Sequence, residues 1–77
     1  MDFQGKPIII TRHAAERARL RHISYPDQIY EVIQTGKLTR FGKRLLKFEK
    51  QGKHGCTICI CEETDEIVVV ITVERGK

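Results

Sequence analysis

The spacing of apolar residues along this chain changes character at Gly36. Before it, Ala14, Ala15 and Ala18 fill one arc of a helix that Thr11 caps and that runs to about Arg21. Arg12, Glu16 and Arg19 take the opposite, solvent-facing arc, and His13, Arg17 and Leu20 lie along one flank. A second helix is predicted from Ser24 as N-cap, with Pro26 in its first turn and Asp27 three residues after the cap. Ile29, Val32 and Ile33 give it an apolar stripe, and Gly36 ends it as a C′ glycine. Ahead of both helices, Pro7-Ile8-Ile9-Ile10 reads either as a short edge strand or as the apolar lead-in to the first helix.

After Gly36 the pattern is that of strands. Leu38-Thr39-Arg40-Phe41 precedes a turn at Gly42-Lys43, and residues 44–50 then alternate. Leu46 and Phe48 fall on one side, Leu45, Lys47 and Glu49 on the other. A loop at 51–55 leads to a strand from Cys56 to Glu62 and an acidic turn at 63–66. Residues 67–73, Ile-Val-Val-Val-Ile-Thr-Val, are apolar on both faces and predict a central strand. The expected fold is α+β: two N-terminal helices followed by an antiparallel meander of about four strands.

Seventy-seven residues make one domain, 1–77, with a thin core, since a chain this short buries only about 60% of its unfolded surface. No apolar run approaches the roughly 20 residues that span a membrane. The start, Met1 to Pro7, lacks the basic-then-apolar pattern of a signal peptide, so a cytoplasmic protein without membrane contact is expected. The three cysteines, Cys56, Cys59 and Cys61, are odd in number and sit in one strand, which predicts reduced thiols rather than a disulfide framework. Their spacing fits no common zinc signature, and neither a metal nor another cofactor is expected.

Charge adds a partner to this picture. Residues 1–55 carry 12 Lys or Arg against 5 Asp or Glu, and residues 56–77 carry 2 against 5. A basic body with an acidic tip suits an anionic partner, RNA or an acidic protein segment, although a merely solvated surface gives the same count. His13 and Arg17 are one helical turn apart and share a face. A metal-independent ribonuclease needs a proton-transfer group near the ribose 2′-hydroxyl and a cation on the phosphate, which His13 and Arg17 can supply. The plainer alternative is a histidine that seats the helix.

Arg40, Lys43, Arg44, Lys47, Lys50 and Lys53 crowd one hairpin and its loop, and Arg40, Arg44 and Lys47 suit an RNA backbone. Lysines and arginines there equally serve to protect a sheet edge. Phe41, Phe48 and Tyr25 are candidates for base stacking, with Phe48 better placed for the core. His54, in a glycine-flanked loop, is a second proton-transfer candidate or an ordinary loop residue. Thr72 interrupts the last apolar run and either faces a groove or serves as a strand residue, and Arg75 just beyond it extends the basic set.

The order of Thr11-Arg12-His13-Ala14-Ala15-Glu16-Arg17, Ile23-Ser24 and Ile71-Thr72-Val73 resembles an uncharacterised prokaryotic family of small stand-alone domains. That family carries a His-Ala-x-x-Arg helix, an Ile-Ser helix start and a Val-Thr-Val type closing strand. It is distantly similar to RelE/ParE-like toxins. The resemblance spans about Ile8 to Val73. It implies a RelE-like α+β fold, RNA cleavage of toxin-antitoxin type and an antitoxin-like protein partner. RelE-like ribonucleases place their basic residues on strands, whereas here the histidine is on a helix. Non-catalytic RNA binding or protein interaction is the alternative, and a homodimer through the sheet would enlarge so small a core.

Overall fold

The computed structural model describes residues 2–53 and 55–76. Its elements are β1 (Asp2–Phe3), β2 (Lys6–Ile10), α1 (Arg12–Leu20), α2 (Asp27–Thr35), β3 (Lys37–Phe41), β4 (Leu45–Gly52), β5 (Gly55–Glu63) and β6 (Val68–Gly76). The strands form one sheet in the order β1-β2-β6-β5-β4-β3. Neighbours pair antiparallel except β2 and β6, which run parallel through Ile8↔Val68, Ile9↔Val69 and Ile10↔Val70.

This architecture overturns the expected RelE-like arrangement of two N-terminal helices and a four-strand meander. Two strands precede α1, the sheet has six strands, and it is mixed. The reason lies in Ile8-Ile9-Ile10. Three consecutive β-branched residues suit a strand, and pairing with Val68–Val70 at the far end of the chain makes them one. β2 is flanked by β1 and β6 and is not an edge.

The sheet curls into a half-barrel around the two helices. Three strands lie between β1 and β4 in the sheet order, yet the rings of Phe3 on β1 and Phe48 on β4 meet edge-on at 5.2 Å. α1 turns Ala14 and Ala18 inward with no exposed surface, so its backbone sits close to β6. α2 buries Ile29, Val32 and Ile33 against β4 and β5. Leu46, Phe48, Cys59, Cys61, Val68, Val70 and Val73 complete the core from the sheet.

A β-bulge joins the two layers. Ile60 pairs with Thr72 but Cys61 pairs with Val70, which leaves Ile71 as the extra residue on β6. The extra residue resets the alternation, so Val68, Val70 and Val73 all point into the core. β2 has ended at this level, and α1 starts in its place. The Thr11 hydroxyl donates to Val70 O (2.8 Å) and accepts from Ala14 N–H (3.1 Å), fixing the helix start to the bulge. The predicted central strand is thus covered by helices on one face only; Val69 and Thr72 are half-exposed and Ile71 is exposed.

α1 has the expected ends, a Thr11 N-cap and a C-cap at Arg21, whereas the start of α2 differs from expectation. α1 closes in a Schellman arrangement: His22 N–H donates to Arg19 O (3.2 Å), and Ile23 N–H donates to Ala18 O (2.8 Å). His22 holds the left-handed position at φ 58, and Ile23 drops into the core. α2 begins at Asp27, not at a Ser24 cap. Gln28 performs the reciprocal exchange, giving its N–H to Ser24 O and accepting Ser24 N–H on its side-chain oxygen (3.1 Å). Gly36 does stop the helix, but with an extended φ of −80. Its need for glycine is close approach, because a Cβ there would collide with Val32 O and Glu49 O. No helix among the described residues is long and apolar enough to cross a membrane.

Candidate nucleic-acid interface

Strand register sorts the sequence candidates onto two faces. Thr39, Lys47, Ile60 and Thr72 form one cross-strand row, and Lys37, Glu49, Ile58 and Glu74 form the next. Both rows lie on the open face, opposite buried Phe48, Cys59 and Val73. Leu38, Arg40 and Leu46 belong to the helix-bearing face.

Arg17 does not stand free beside His13. Its Nε and Nη2 both donate to Glu74 Oε2, at 3.2 and 2.8 Å, and Arg21 Nη2 reaches Glu74 Oε1 at 3.1 Å. The Thr72 hydroxyl donates to Glu74 Oε2 at 3.2 Å. Hydrogen bonding from Arg17 first, with Arg21 and Thr72, outweighs partial desolvation and holds the Glu74 carboxyl below the usual glutamate range. About a third of each of the Arg17 and Glu74 side chains stays in contact with solvent. His13 is exposed one turn away, and no hydrogen bond ties it down among the described residues. His54 lies outside the described residues.

Arg75 is committed elsewhere. Its Nε donates to Arg21 O (3.2 Å) and its Nη2 to His22 O (3.5 Å), so it satisfies carbonyls at the end of α1.

Arg40 belongs to a second carboxylate-centred cluster. Glu63 at the end of β5 receives Arg40 Nη1 on Oε1 (2.9 Å) and Lys6 Nζ on Oε2 (3.1 Å), and its side chain is only 15% exposed. Lys6 also donates to Thr64 O at 2.8 Å. Lys6 comes from β2 and Arg40 from β3, on opposite sides of β5 in the sheet, and curvature brings them to one acid. These two hydrogen bonds lower the Glu63 pKa, Arg40 being the larger cause. Arg44 Nη1 reaches only Glu63 O, at 3.4 Å. Beside this cluster a shallow depression of about 250 Å³ is lined by Lys43, Arg44 and Asp65 among others.

The candidates therefore do not converge. His13 and Arg17 flank β6, whereas Arg40 and Arg44 lie across β5 near its far end, with Lys47 between them on the open face. What the β3–β4 hairpin carries along its length is spare positive charge, with Lys43 and Arg44 at its turn and Lys37 and Lys53 toward its other end. Lys37, Lys43, Arg44 and Lys53 have no carboxylate within ion-pair distance among the described residues. All four are exposed, and all belong to the β3–β4 hairpin or the residues adjoining it. Lys47 is held only loosely, 4.0 Å from Glu49. Phe41, at the tip of β3 beside Lys43, is 40% exposed. Lys50, by contrast, is tied to Glu31 and Thr35 of α2.

Glu63 and Glu74, the acids that organise both clusters, were absent from the sequence candidates. Period-two alternation does place Thr72 and Glu74 on one face of a strand, which was the available signal. No comparable signal joins Arg17 to Glu74 across the length of the chain. The thiols of Cys59 and Cys61 are pushed up to about 12 by burial, with Cys59 adding to the effect on Cys61. No cluster of three or more His, Cys, Asp or Glu suited to a metal ion occurs among the described residues. Comparison with protein-family models, with curated proteins and with solved structures found no match.

Proposed function

We propose that this protein is a non-catalytic RNA-binding module that meets its ligand through the β3–β4 hairpin. The observation that carries this reading is the set of four exposed cations, Lys37, Lys43, Arg44 and Lys53, that the fold leaves without carboxylate partners among the described residues. Unneutralised cations release counterions when they meet phosphates, which is the main source of nucleic-acid affinity. Phe41 adds an exposed ring where an unpaired base can stack, which favours single-stranded RNA. The ribonuclease reading has less support, because it needs the Arg17 charge for a phosphate, and Arg17 is already paired with the Glu74 carboxylate through Nε and Nη2.

The test is fluorescence anisotropy with a labelled single-stranded RNA over a range of salt. Binding should weaken steeply with salt. Lys43→Gln with Arg44→Gln should lower the log–log slope by about 1.4, at about 0.7 for each phosphate no longer neutralised. An unchanged slope would remove the hairpin from the interface. RNA recovered after incubation in EDTA should be intact; cleavage that His13→Ala abolishes would restore the ribonuclease reading.

A further inference from the structure

The outer side of α1 holds an open groove of about 480 Å³, lined by none of the hairpin residues. Arg12, Ala15, Glu16 and Arg19 line it from the helix, recurring at the i, i+3, i+4, i+7 spacing that makes a single stripe. Ile23 and Tyr25 line it from the segment that follows. Ile23 is held in place by the Schellman turn, its N–H on Ala18 O at 2.8 Å. The volume falls within the roughly 300–1,000 Å³ of small-molecule sites.

The chemistry of the walls is specific. Ala15, partly exposed, gives an apolar floor, and the edge of the otherwise buried Ile23 closes it from the core side. Tyr25 is 55% exposed, takes no part in the core, and its hydroxyl makes no hydrogen bond among the described residues. Arg12 Nε pairs with Glu16 Oε1 at 3.3 Å, and those two charges cancel. Arg19 is exposed and has no carboxylate partner among the described residues, so the groove keeps one positive charge at the α1 C-terminal end. An apolar peptide would leave the Arg19 guanidinium unmatched, and a bare anion would leave the Tyr25 ring and the floor unused. A flat aromatic ring bearing a phosphate uses all of them.

We propose that this groove binds a nucleotide, with the base stacked on Tyr25 above Ala15 and Ile23 and the phosphate on the Arg19 guanidinium. Stacking on an aromatic face and a planar guanidinium fork on phosphate are the two contacts such a ligand makes best. The nucleotide is either free or one unit of a single-stranded RNA; the recognising chemistry is the same. A free nucleotide needs no contact with the hairpin, so this site does not depend on the hairpin proposal.

The experiment is an NMR titration of the full chain, following the Tyr25 ring protons and the Arg19 Nε–H. The chain has two tyrosines, so Tyr30→Phe leaves Tyr25 as the sole tyrosine signal. Adenosine monophosphate should shift both groups saturably, with a dissociation constant of about 1 mM or tighter. Ribose 5-phosphate should shift Arg19 but bind at least about tenfold more weakly, a base stack being worth about 1–3 kcal/mol. Tyr25→Leu should abolish that difference, and Arg19→Gln should weaken both ligands. A single-stranded RNA that shifts Tyr25 in competition with the mononucleotide identifies the RNA unit; a shift with the mononucleotide alone identifies the free ligand. No shift of Tyr25 with either, or equal binding of adenosine monophosphate and ribose 5-phosphate, overturns the proposal. So does loss of mononucleotide binding on Lys43→Gln with Arg44→Gln, which would place the ligand on the hairpin.

Discussion

Arg17 places two donors, Nε and Nη2, on a single oxygen of Glu74, at 3.2 and 2.8 Å. The pair ties the flank of α1 to the last strand, and Arg21 and Thr72 complete it. Because the folded carboxyl titrates below its ordinary range, its stabilising effect is fully present above the unfolded glutamate pKa of about 4.3 and is lost as pH falls through the lower folded value. Glu74→Gln should therefore cost stability near neutral pH and much less under acid conditions. With both partners about a third exposed, the neutral-pH cost should be about 1 kcal/mol. Urea unfolding at neutral and acidic pH reads this directly; an equal loss at both would mean that the ion pair contributes nothing.

Phe41 separates stacking from charge in the proposed RNA interface. Phe41→Ala should leave the salt slope of RNA binding unchanged, because every phosphate keeps its cation. Affinity should fall by about 1–3 kcal/mol if one base stacks on the ring. The ring is 40% exposed at the end of an edge strand, so its removal should barely disturb folding. Equal RNA affinity for Phe41→Ala and wild type, measured by anisotropy at fixed salt, would leave the hairpin a purely electrostatic surface.

Local pattern revealed what local physics decides. The α1 stripe, the α2 stripe of Ile29, Val32 and Ile33, and the alternation of Leu46 and Phe48 are each set by neighbours within a few residues. The Ile8–Ile10 strand was ambiguous because a short apolar run fits a strand or a helix lead-in, and only pairing with Val68–Val70 settles it. A strand of two residues, Asp2–Phe3, is too short to show any period. In the candidate site the four-residue spacing of His13 and Arg17 was legible, but the acid that occupies Arg17 was not. Nor was the separation of Arg40 from Lys47, which follows from their opposite faces and from sheet curvature.

His22 occupies the left-handed C′ position of α1, where most helices of this kind carry glycine. A side chain at φ 58 meets a steric cost of about 1–2 kcal/mol that glycine avoids. Glycine also loses more backbone entropy on folding, which offsets part of that gain. His22→Gly should thus stabilise the fold by about 0.5–1 kcal/mol, seen as a higher urea midpoint with an unchanged slope. Destabilisation instead would mean that the His22 side chain makes a contact stronger than the strain.

Cys59 and Cys61 are fully buried on the helix-bearing face, while Cys56 is half-exposed with Sγ 3.8 Å from Glu49 Oε2. Burial raises both core thiols from 9.0 to about 12. In the unfolded chain they ionise near 9, and in the fold they stay protonated, so the unfolded state binds fewer protons across that interval and stability must fall as pH rises through it. Each thiol should contribute a loss on the order of 1 kcal/mol per pH unit between about 9 and 12. Single Cys59→Ala and Cys61→Ala variants should be less stable at neutral pH, since each opens a small cavity in the core. Their stability should nevertheless decline less steeply with alkali than that of the wild type, and the slope is the diagnostic quantity because it is independent of the cavity. A thiol reagent applied near neutral pH should modify Cys56 first, with Cys59 and Cys61 reacting only at the rate of unfolding. Prompt reaction of all three would show that the sheet opens locally at β5 without global unfolding.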